Sequence, residues 1–102
     1  MNKLLSILGL CARAGRLVSG KDAVEIALKK RSAHLVVMDE GASEGTKKAV
    51  NEAAKRYGVP VIEISDQQLG QAIGKPGRMM AAVTDASFAC RLKELSGEIS
   101  ER

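Results

Sequence analysis

Residues 15–22 of this 102-residue chain read Gly-Arg-Leu-Val-Ser-Gly-Lys-Asp and combine two glycines with two cations. The pattern indicates a short apolar strand, a Ser19-Gly20 turn and a helix that begins at the second glycine. The first backbone N–H groups of such a helix have no partner within it, and the helix dipole makes that end positive. With Arg16 and Lys21 beside it, the segment predicts an anion site suited to phosphate.

A nucleotide is the first candidate for that phosphate, because Gly15, Gly20 and Lys21 match the opening of the P-loop pattern G-x-x-x-x-G-K-[ST]. Asp22, however, occupies the hydroxyl position, and a carboxylate there cannot replace the usual Ser/Thr ligand to magnesium. A P-loop also follows a strand, whereas residues 1–14 have the spacing of a helix. A nucleotide-hydrolysing enzyme is therefore the least supported interpretation.

The composition limits the class of protein and the kind of partner. The net charge is +4, and residues 1–34 carry the surplus, with seven Lys/Arg against two Asp/Glu. Localised basic charge is typical of a nucleic-acid partner, although an ordinary basic protein explains it equally well. Tyr57 and Phe88 are the only aromatic residues, so stacking of single-stranded bases on aromatic side chains is not expected.

The cysteines and the N-terminus indicate a cytoplasmic protein. Cys11 and Cys90 form no C-x-x-C pair, and each is expected on the apolar side of a helix as a buried, reduced thiol. The N-terminal apolar stretch is broken by Gly9 and followed by Arg13, which does not fit a signal peptide. No run reaches membrane-spanning length, so no membrane contact is expected.

Helices and strands alternate along the whole chain, beginning and ending with a helix. Helices are expected at about 2–14, 20–30, 43–57 and 66–73, with a last one marked by Phe88, Leu92 and Leu95 and fraying from Gly97, and strands at about 17–18, 35–38, 59–64 and 79–84. Asn2 and either Ser65 or Asp66 are expected N-caps, and Ala49 is expected on the inner stripe of the third helix. This alternation predicts an α/β fold, a three-layer α/β/α sandwich around a small mixed sheet of about four strands, in one domain over residues 1–102.

Few residues could support catalysis. His34 is the only histidine and lies just before an apolar strand, where a strand-edge position is favoured over a catalytic one. Asp39 and Glu40 follow the carboxyl end of a strand, where α/β sheets place ligands, but helix capping and solvation explain these acids equally well. No spacing suggests a zinc site, and we expect neither an enzyme nor a cofactor.

A binding role depends on two segments, the turn at 16–21 and the loop at 74–78, which both combine small residues with cations. Five side chains could contact phosphate oxygens in charge-assisted pairs: Arg13, Arg16, Lys21, Lys75 and Arg78. Ordinary Pro-Gly turn chemistry explains the loop as well. The run at 29–31 ends a helix, where the helix dipole stabilises its cations. Lys47 and Lys48 are expected on a solvated face.

Six segments share their order and spacing with one known family. They are ARAGRLVSG (12–20), AHLVVMDEGAS (33–43), TKK (46–48), YGVP (57–60), LGQAIGK (69–75) and AAVTD (81–85). From Leu4 to about Leu92 the chain resembles the kink-turn RNA-binding ribosomal-protein superfamily, of the archaeal L-seven-Ae and eukaryotic L-thirty-e type. Within that superfamily it is similar to the small bacterial YlxQ-like branch.

The resemblance implies an α/β/α sandwich that binds RNA. We expect non-enzymatic binding of structured RNA, ribosomal or kink-turn-containing, by a monomer that associates with the ribosome. The start of the second helix enters the groove of a kinked stem, and the loop before the last strand covers a flipped-out nucleotide. Those elements correspond to the segment Gly20–Ala23 (Gly20, Lys21, Asp22 and Ala23) and to the loop Lys75, Pro76, Gly77 and Arg78. A protein-interaction adaptor of the translation or transcription machinery is the alternative.

The chain departs from the family pattern at the start of the second helix. Archaeal-type members carry Gly-x-Asn-Glu-x-x-Lys, whereas this chain has Asp22, Ala23 and Ile26 at the Asn, Glu and Lys positions. An Asn amide donates and accepts hydrogen bonds, but an ionised Asp22 only accepts them. We therefore expect an RNA target that differs from a standard kink-turn, or a looser specificity.

Overall fold

The structure is a computed structural model that describes residues 3–65 and 67–100, with side chains as far as Ser96. Helices and strands alternate along it as α1 Lys3–Arg13, β1 Leu17–Ser19, α2 Lys21–Lys29, β2 Leu35–Asp39, α3 Glu44–Arg56, β3 Val61–Ile64, α4 Gln68–Ile73, β4 Met80–Val83 and α5 Ala86–Ser100. The predicted order is confirmed. The predicted fraying from Gly97 is wrong as far as Ser100, because a single glycine costs a helix only about 1 kcal/mol.

The four strands form one mixed sheet in the order β1-β4-β2-β3. Strands β2 and β3 are parallel and joined by α3, whereas β4 is antiparallel to both β1 and β2. Every residue of the central strands β2 and β4 is buried, as expected for apolar runs covered on both faces. The carboxyl ends of β1, β2 and β3 and the amino end of β4 lie at the same end of the sheet, which we call its upper end.

Two apolar clusters cover the two faces of the sheet and confirm the three-layer α/β/α sandwich. Helices α1, α4 and α5 pack on one face, and α2 and α3 pack on the other. The inner face of α2 carries Val24, Ala27 and Leu28, as its spacing predicts. On α3 Val50 and Ala54 are buried against the sheet, and Ala53 and Tyr57 pack beside them. Ala49 lies outside this stripe and is exposed, so its predicted inward position is wrong.

Asp39, at the end of β2, is the only buried charged residue in the described part of the chain. Its Oδ1 accepts hydrogen bonds from the N–H groups of Gly41 and Gln67, both at 2.8 Å, and its Oδ2 accepts one from Leu69 at 3.0 Å. The carboxylate therefore caps α4 from 28 residues away, and of the roles considered for it capping is the one observed.

The predicted helix caps fare differently. Gln67, with a left-handed φ of 63°, is the N-cap of α4, so the choice of Ser65 was wrong, while Asn2 and Asp66 lie outside the described residues. The long-range bonds from Asp39 replace a local side-chain cap here. His34 is exposed, and its N–H donates to the carbonyl of Val83 at 2.8 Å, which places it at the strand edge as expected.

The two cysteines lie in different environments. Cys11 is buried in α1 as predicted, whereas Cys90 is exposed on α5, so the prediction of a buried thiol is wrong there. On α5 the side chains of Ala89, Leu92 and Leu95 are buried in the core, and that of Phe88 packs against it. Cys90 falls outside that stripe because its position is turned by about 100° from that of Ala89.

We expect the two thiols to differ sharply in reactivity. Burial, reinforced by the nearby Asp85 carboxylate, raises the pKa of the Cys11 thiol from 9.0 to about 11. Because the thiolate is the nucleophile, a disulfide reagent near pH 8 should titrate one thiol rapidly in the folded protein and the second only after unfolding. Cys90→Ser should abolish the rapid phase. Rapid reaction of both thiols in the folded protein would contradict this assignment.

Candidate functional site

The N-terminus of α2 is open at the upper end of the sheet. Gly20 is its N-cap at φ 98° and ψ 154°, and this residue supplies no side-chain cap to the first turn. The Gly20 N–H donates to the carbonyl of Met80 at 3.0 Å, so the helix begins where β1 leaves β4. Residues with a Cβ rarely adopt this backbone conformation, which explains why glycine occupies the position. The N–H groups of Lys21, Asp22 and Ala23 have no intrahelical partner.

The loop between α4 and β4 lies next to this open helix end. Gly74 ends α4 at a φ of 75°, and the N–H of Arg78 donates to the carbonyl of Lys75 at 3.2 Å. Pro76 and Gly77, the latter at φ 90°, occupy the central positions of this turn. That is the signature of a type II turn, so the Pro-Gly pair forms the expected turn at a precise place beside the helix.

Gly70 allows this loop to pack against α4. A Cβ added at Gly70 would lie 2.8 Å from the carbonyl oxygen of Lys75, 3.0 Å from the backbone nitrogen of Gly77 and 3.1 Å from the Cα of Pro76. All three are backbone atoms, so the loop as a whole would have to move. The position of the loop therefore depends on a missing side chain inside a helix.

Arg78 joins the loop to the end of β1. Its Nη1 donates to the carbonyl of Ser19 at 2.9 Å, and the guanidinium lies over the face of Gly20 where a side chain would be. The side chain of Arg78 is exposed. It is the residue shared by three grooves that open at or beside the upper end of the sheet.

The first groove, of about 380 Å³, runs along the exposed side of β1 between α1 and α2. Arg13, Val18, Ala23, Lys75 and Arg78 are among its lining residues. Three cations from two separate elements, α1 and the loop between α4 and β4, thus border one groove. Arg13, predicted from the sequence as a phosphate contact, is brought here although it is distant along the chain from the loop.

The second groove, of about 300 Å³, lies between the starts of α2 and α3. Lys21 and Arg78 line one side, and Ser43 and Thr46 line the other. Ser43 is the N-cap of α3, and its Oγ accepts from the N–H of Thr46 at 3.2 Å. Because β1 and β2 run in the same direction, both helices begin here, and the positive ends of both dipoles lie at this groove.

The third groove, of about 320 Å³, lies between α4 and the loop. It is lined by the amide side chains Gln67 and Gln71 together with Pro76, Gly77 and Arg78. Amide side chains both donate and accept hydrogen bonds. This groove therefore offers polar recognition, in contrast to the cationic borders of the first groove.

The structure brings most of the predicted site residues to the three grooves. Around the three grooves lie Arg13, Gly20, Lys21, Lys75, Pro76, Gly77 and Arg78. Asp22 is exposed in the first turn of α2. Arg16 lies at the opposite end of β1, where its Nε is 3.9 Å from Oδ2 of Asp85 and its carbonyl accepts from Thr84. It does not border the grooves.

Several groove residues were not found from the sequence. They are Ser43, Thr46, Gln67, Gly70 and Gln71. The acidic turn after β2 pointed to this edge of the sheet, but which side chains reach it depends on the packing of two loops. The segment from Gly15 to Gly20 contains β1 itself and follows α1, so it does not form the strand-to-helix cradle of a P-loop. Among the described residues no cluster of His, Cys, Asp and Glu could hold a metal ion.

Fold and site together define a small α/β/α-sandwich protein that presents a cation-bordered set of grooves beside an open helix N-terminus. Within the described residues, no helix has both the length and the apolar character needed to cross a membrane. The chain belongs to the ribosomal protein L7Ae/L30e/S12e/Gadd45 family, whose sequence pattern matches residues 2–93. The family predicted from the six sequence segments is thus confirmed.

Two bacterial relatives place the chain in the predicted branch of that family. The RNA-binding protein YlxQ of Enterococcus faecium is 36% identical over 94 residues, which cover 91% of this chain and 90% of the relative. The RNA-binding protein YlxQ of Bacillus subtilis (strain 168) is 40% identical over 90 residues, which cover 87% and 90%.

Two solved structures share the fold. A Bacillus halodurans protein described as having unknown function is 38% identical, with a TM-score of 0.89 over 93% of this chain and 97% of that one. The Giardia lamblia 15.5kD RNA binding protein is 19% identical, with a TM-score of 0.75 over 96% and 85%. At that identity the second likeness concerns the fold alone.

Proposed function

We propose that this protein binds structured RNA without catalysing a reaction, and that the RNA lies across the upper end of the sheet. The observation that carries the proposal is the position of Arg78, which borders all three grooves and lies directly beside the open start of α2. The bacterial relatives are named as RNA-binding proteins. The surplus of positive charge in the first third of the chain supports the same partner.

The three grooves contact different parts of the RNA. Lys21, Lys75 and Arg78, with the free N–H groups of α2, hold phosphate oxygens and so fix the orientation of the RNA. The loop from Lys75 to Arg78 and the two glutamines of the third groove form the pocket for an unstacked nucleotide. Arg13 extends the phosphate contacts along the first groove.

The start of α2 sets the expected specificity. Asp22 can only accept hydrogen bonds when it is ionised, Ala23 has no polar side chain, and Ile26 is 52% exposed without offering a cation. We propose that ribosomal or kink-turn-like RNA is bound mainly through its shape and backbone. We further propose that residues 1–102 act as one domain, as a cytoplasmic monomer associated with the ribosome, and that Arg16 contacts only RNA that extends past the far end of β1.

The proposal is tested by titrating the protein with three labelled RNAs at several salt concentrations. The RNAs are a kink-turn stem, the same stem with its G·A pairs replaced, and a plain duplex of equal length. We expect the kinked stem to bind most tightly. Equal and weak binding of all three, with the same salt dependence, would leave only a sequence-independent phosphate interaction and would overturn specific recognition.

Gly70→Ala is expected to weaken binding of the kinked stem, because the added methyl group displaces the backbone of the loop from Lys75 to Gly77. Overpacking of this kind costs about 1–3 kcal/mol of stability, so binding is to be measured well below the unfolding temperature. Gly45→Ala on α3, whose Cβ would meet nothing within 4 Å, is the reference for the unfolding measurement alone, because residue 45 lies beside the second groove. Unchanged affinity for Gly70→Ala would mean that the loop position does not matter for binding.

A further inference from the structure

A second group of cations lies at the ends of α2 and α3, away from the grooves. Lys29, Lys30 and Arg31 end α2, and Lys55 and Arg56 end α3. All five are exposed. Both helices end at the same side of the molecule, because the strands before them run in the same direction. We call this group of five cations the lower patch.

The two helices share a groove at the lower patch. This groove, of about 230 Å³, is lined by Lys29 from α2 and by Arg56 and Tyr57 from the end of α3. The carboxylates in this region are Glu25, which lines the same groove, and Glu52, one turn before Arg56. The region therefore contains five cations and two carboxylates, and its net charge is positive.

None of the five cations forms an ion pair within residues 3–65 and 67–96, whereas Arg16, Lys47 and Arg91 do. The dipole of each helix favours one or two cations in its last turn. It gives no reason for cations from two helices to border one groove with their charges unneutralised. The charges of the lower patch are therefore available to bind an anionic partner.

Arg31 is held in an unusual conformation within this patch. The N–H of Arg31 donates to the carbonyl of Leu28 and that of Ser32 to the carbonyl of Ala27, both at 3.0 Å. These are the bonds of a Schellman motif, in which glycine is the usual residue at the left-handed position. Here Arg31 occupies it at a φ of 59°, and its guanidinium lies 5.5 Å from the centre of the Tyr57 ring. A cation is thus kept at a fixed place where a glycine would suit the backbone better.

We propose that the lower patch is a second phosphate-binding surface, which holds the backbone of an RNA that extends beyond the segment bound in the grooves. This inference rests on the proposed function of the upper end. The nine residues of α2 separate the two surfaces by about 13 Å, a distance that one RNA can span. Exposed cations that contact phosphates fix the position of a nucleic acid and do not read its sequence.

The chemistry of the lower patch fits RNA better than an acidic protein. Protein interfaces centre on exposed aromatic and apolar side chains that become buried. The exposed large hydrophobic residues of the described chain are Leu10, Val18 and Ile26, none of which lines this groove. Tyr57 is half-buried and already in contact with Arg31.

The test compares two RNAs, a kink-turn stem with short ends and the same stem lengthened by about one helical turn, or about 10 base pairs. The wild-type protein should bind the longer RNA more tightly. The triple variant Lys29→Ala, Lys30→Ala, Arg56→Ala should weaken binding of the longer RNA about 10-fold and reduce its salt slope by about 2 to 3. Binding of the short RNA should stay the same.

Two further variants separate charge from folding. Arg31→Gly suits the left-handed backbone, so the fold should be kept while binding of the longer RNA falls about 2- to 3-fold. A control triple variant on α1 and α5, Lys3→Ala, Arg91→Ala, Lys93→Ala, removes the same number of charges from the other helical layer. It should bind both RNAs like the wild type.

The outcomes for the two surfaces are distinguishable. The lower patch is overturned if the wild type binds both RNAs equally, or if the lower triple variant changes neither affinity or both to the same extent. Arg78 borders the three grooves, so Arg78→Ala should weaken binding of both RNAs. If it weakens binding of neither RNA, the proposed function is overturned instead. Binding of a polyglutamate peptide that is lost in the lower triple variant, with both RNA affinities unchanged, would assign the patch to an acidic protein.

Discussion

Arg78→Ala is expected to weaken binding of a kinked RNA stem by about 10- to 100-fold, because a charge-assisted hydrogen bond to phosphate is worth about 1.5–3 kcal/mol. Arg78 borders all three grooves, so its loss removes positive charge from each of them. It also removes the bond to the Ser19 carbonyl that joins the loop to β1. The affinity is to be measured by fluorescence anisotropy with the labelled stem.

Two controls show whether the effect belongs to this position. Arg91→Ala removes an exposed arginine from α5, on the other side of the molecule, and should leave affinity unchanged. Arg78→Lys keeps the charge but loses the planar fork of donors, so its affinity should fall between wild type and Arg78→Ala. If Arg78→Ala and Arg91→Ala bind alike, the loop does not contact the RNA.

Asp39→Asn is expected to destabilise the fold by about 2–4 kcal/mol, because it removes a charge-assisted acceptor and leaves a buried N–H group unsatisfied. The fully buried carboxylate accepts three backbone hydrogen bonds. An Asn amide supplies one oxygen, and its NH₂ group then faces a backbone donor. The cost should be concentrated at the start of α4 and at the turn after β2, which together support the second and third grooves.

Urea unfolding followed by circular dichroism measures this loss. Glu40→Gln is the matched control, since Glu40 is exposed and neighbours Asp39; it should change stability by less than about 0.5 kcal/mol. A loss below about 1 kcal/mol for Asp39→Asn would mean that the buried bonds contribute little net stability.

The order of elements could be predicted from the sequence because local periodicity decides it. The apolar runs of β2 and β4 and the spacing of Val24, Ala27 and Leu28 on α2 identify their elements without knowledge of the rest. The cap of α4 could not be predicted in the same way. It comes from Asp39, and which distant carboxylate reaches a helix start is decided by the pairing of β2 in the sheet.

The candidate site was predicted in part, for a similar reason. The start of α2 and the loop before β4 stand out through their glycines and cations, and the structure places them side by side. The position of Arg16 depends on the register of β1 against β4, in which Leu17 lies opposite Val83, so it lies far from Arg78. The role of Gly70 depends on how closely a loop approaches α4, which has no local signal beyond a glycine inside a helix.

The proposal that RNA is held at the upper end of the sheet is tested most directly by an NMR titration of the isotope-labelled protein with the kink-turn stem. The backbone amides of residues 20–23, 42–46, 75, 77 and 78 should shift or broaden most, with those of α5 unaffected. In Arg78→Ala the same amides should respond only at higher RNA concentration. Changes centred on α5, or spread evenly over the molecule, would contradict the proposed site.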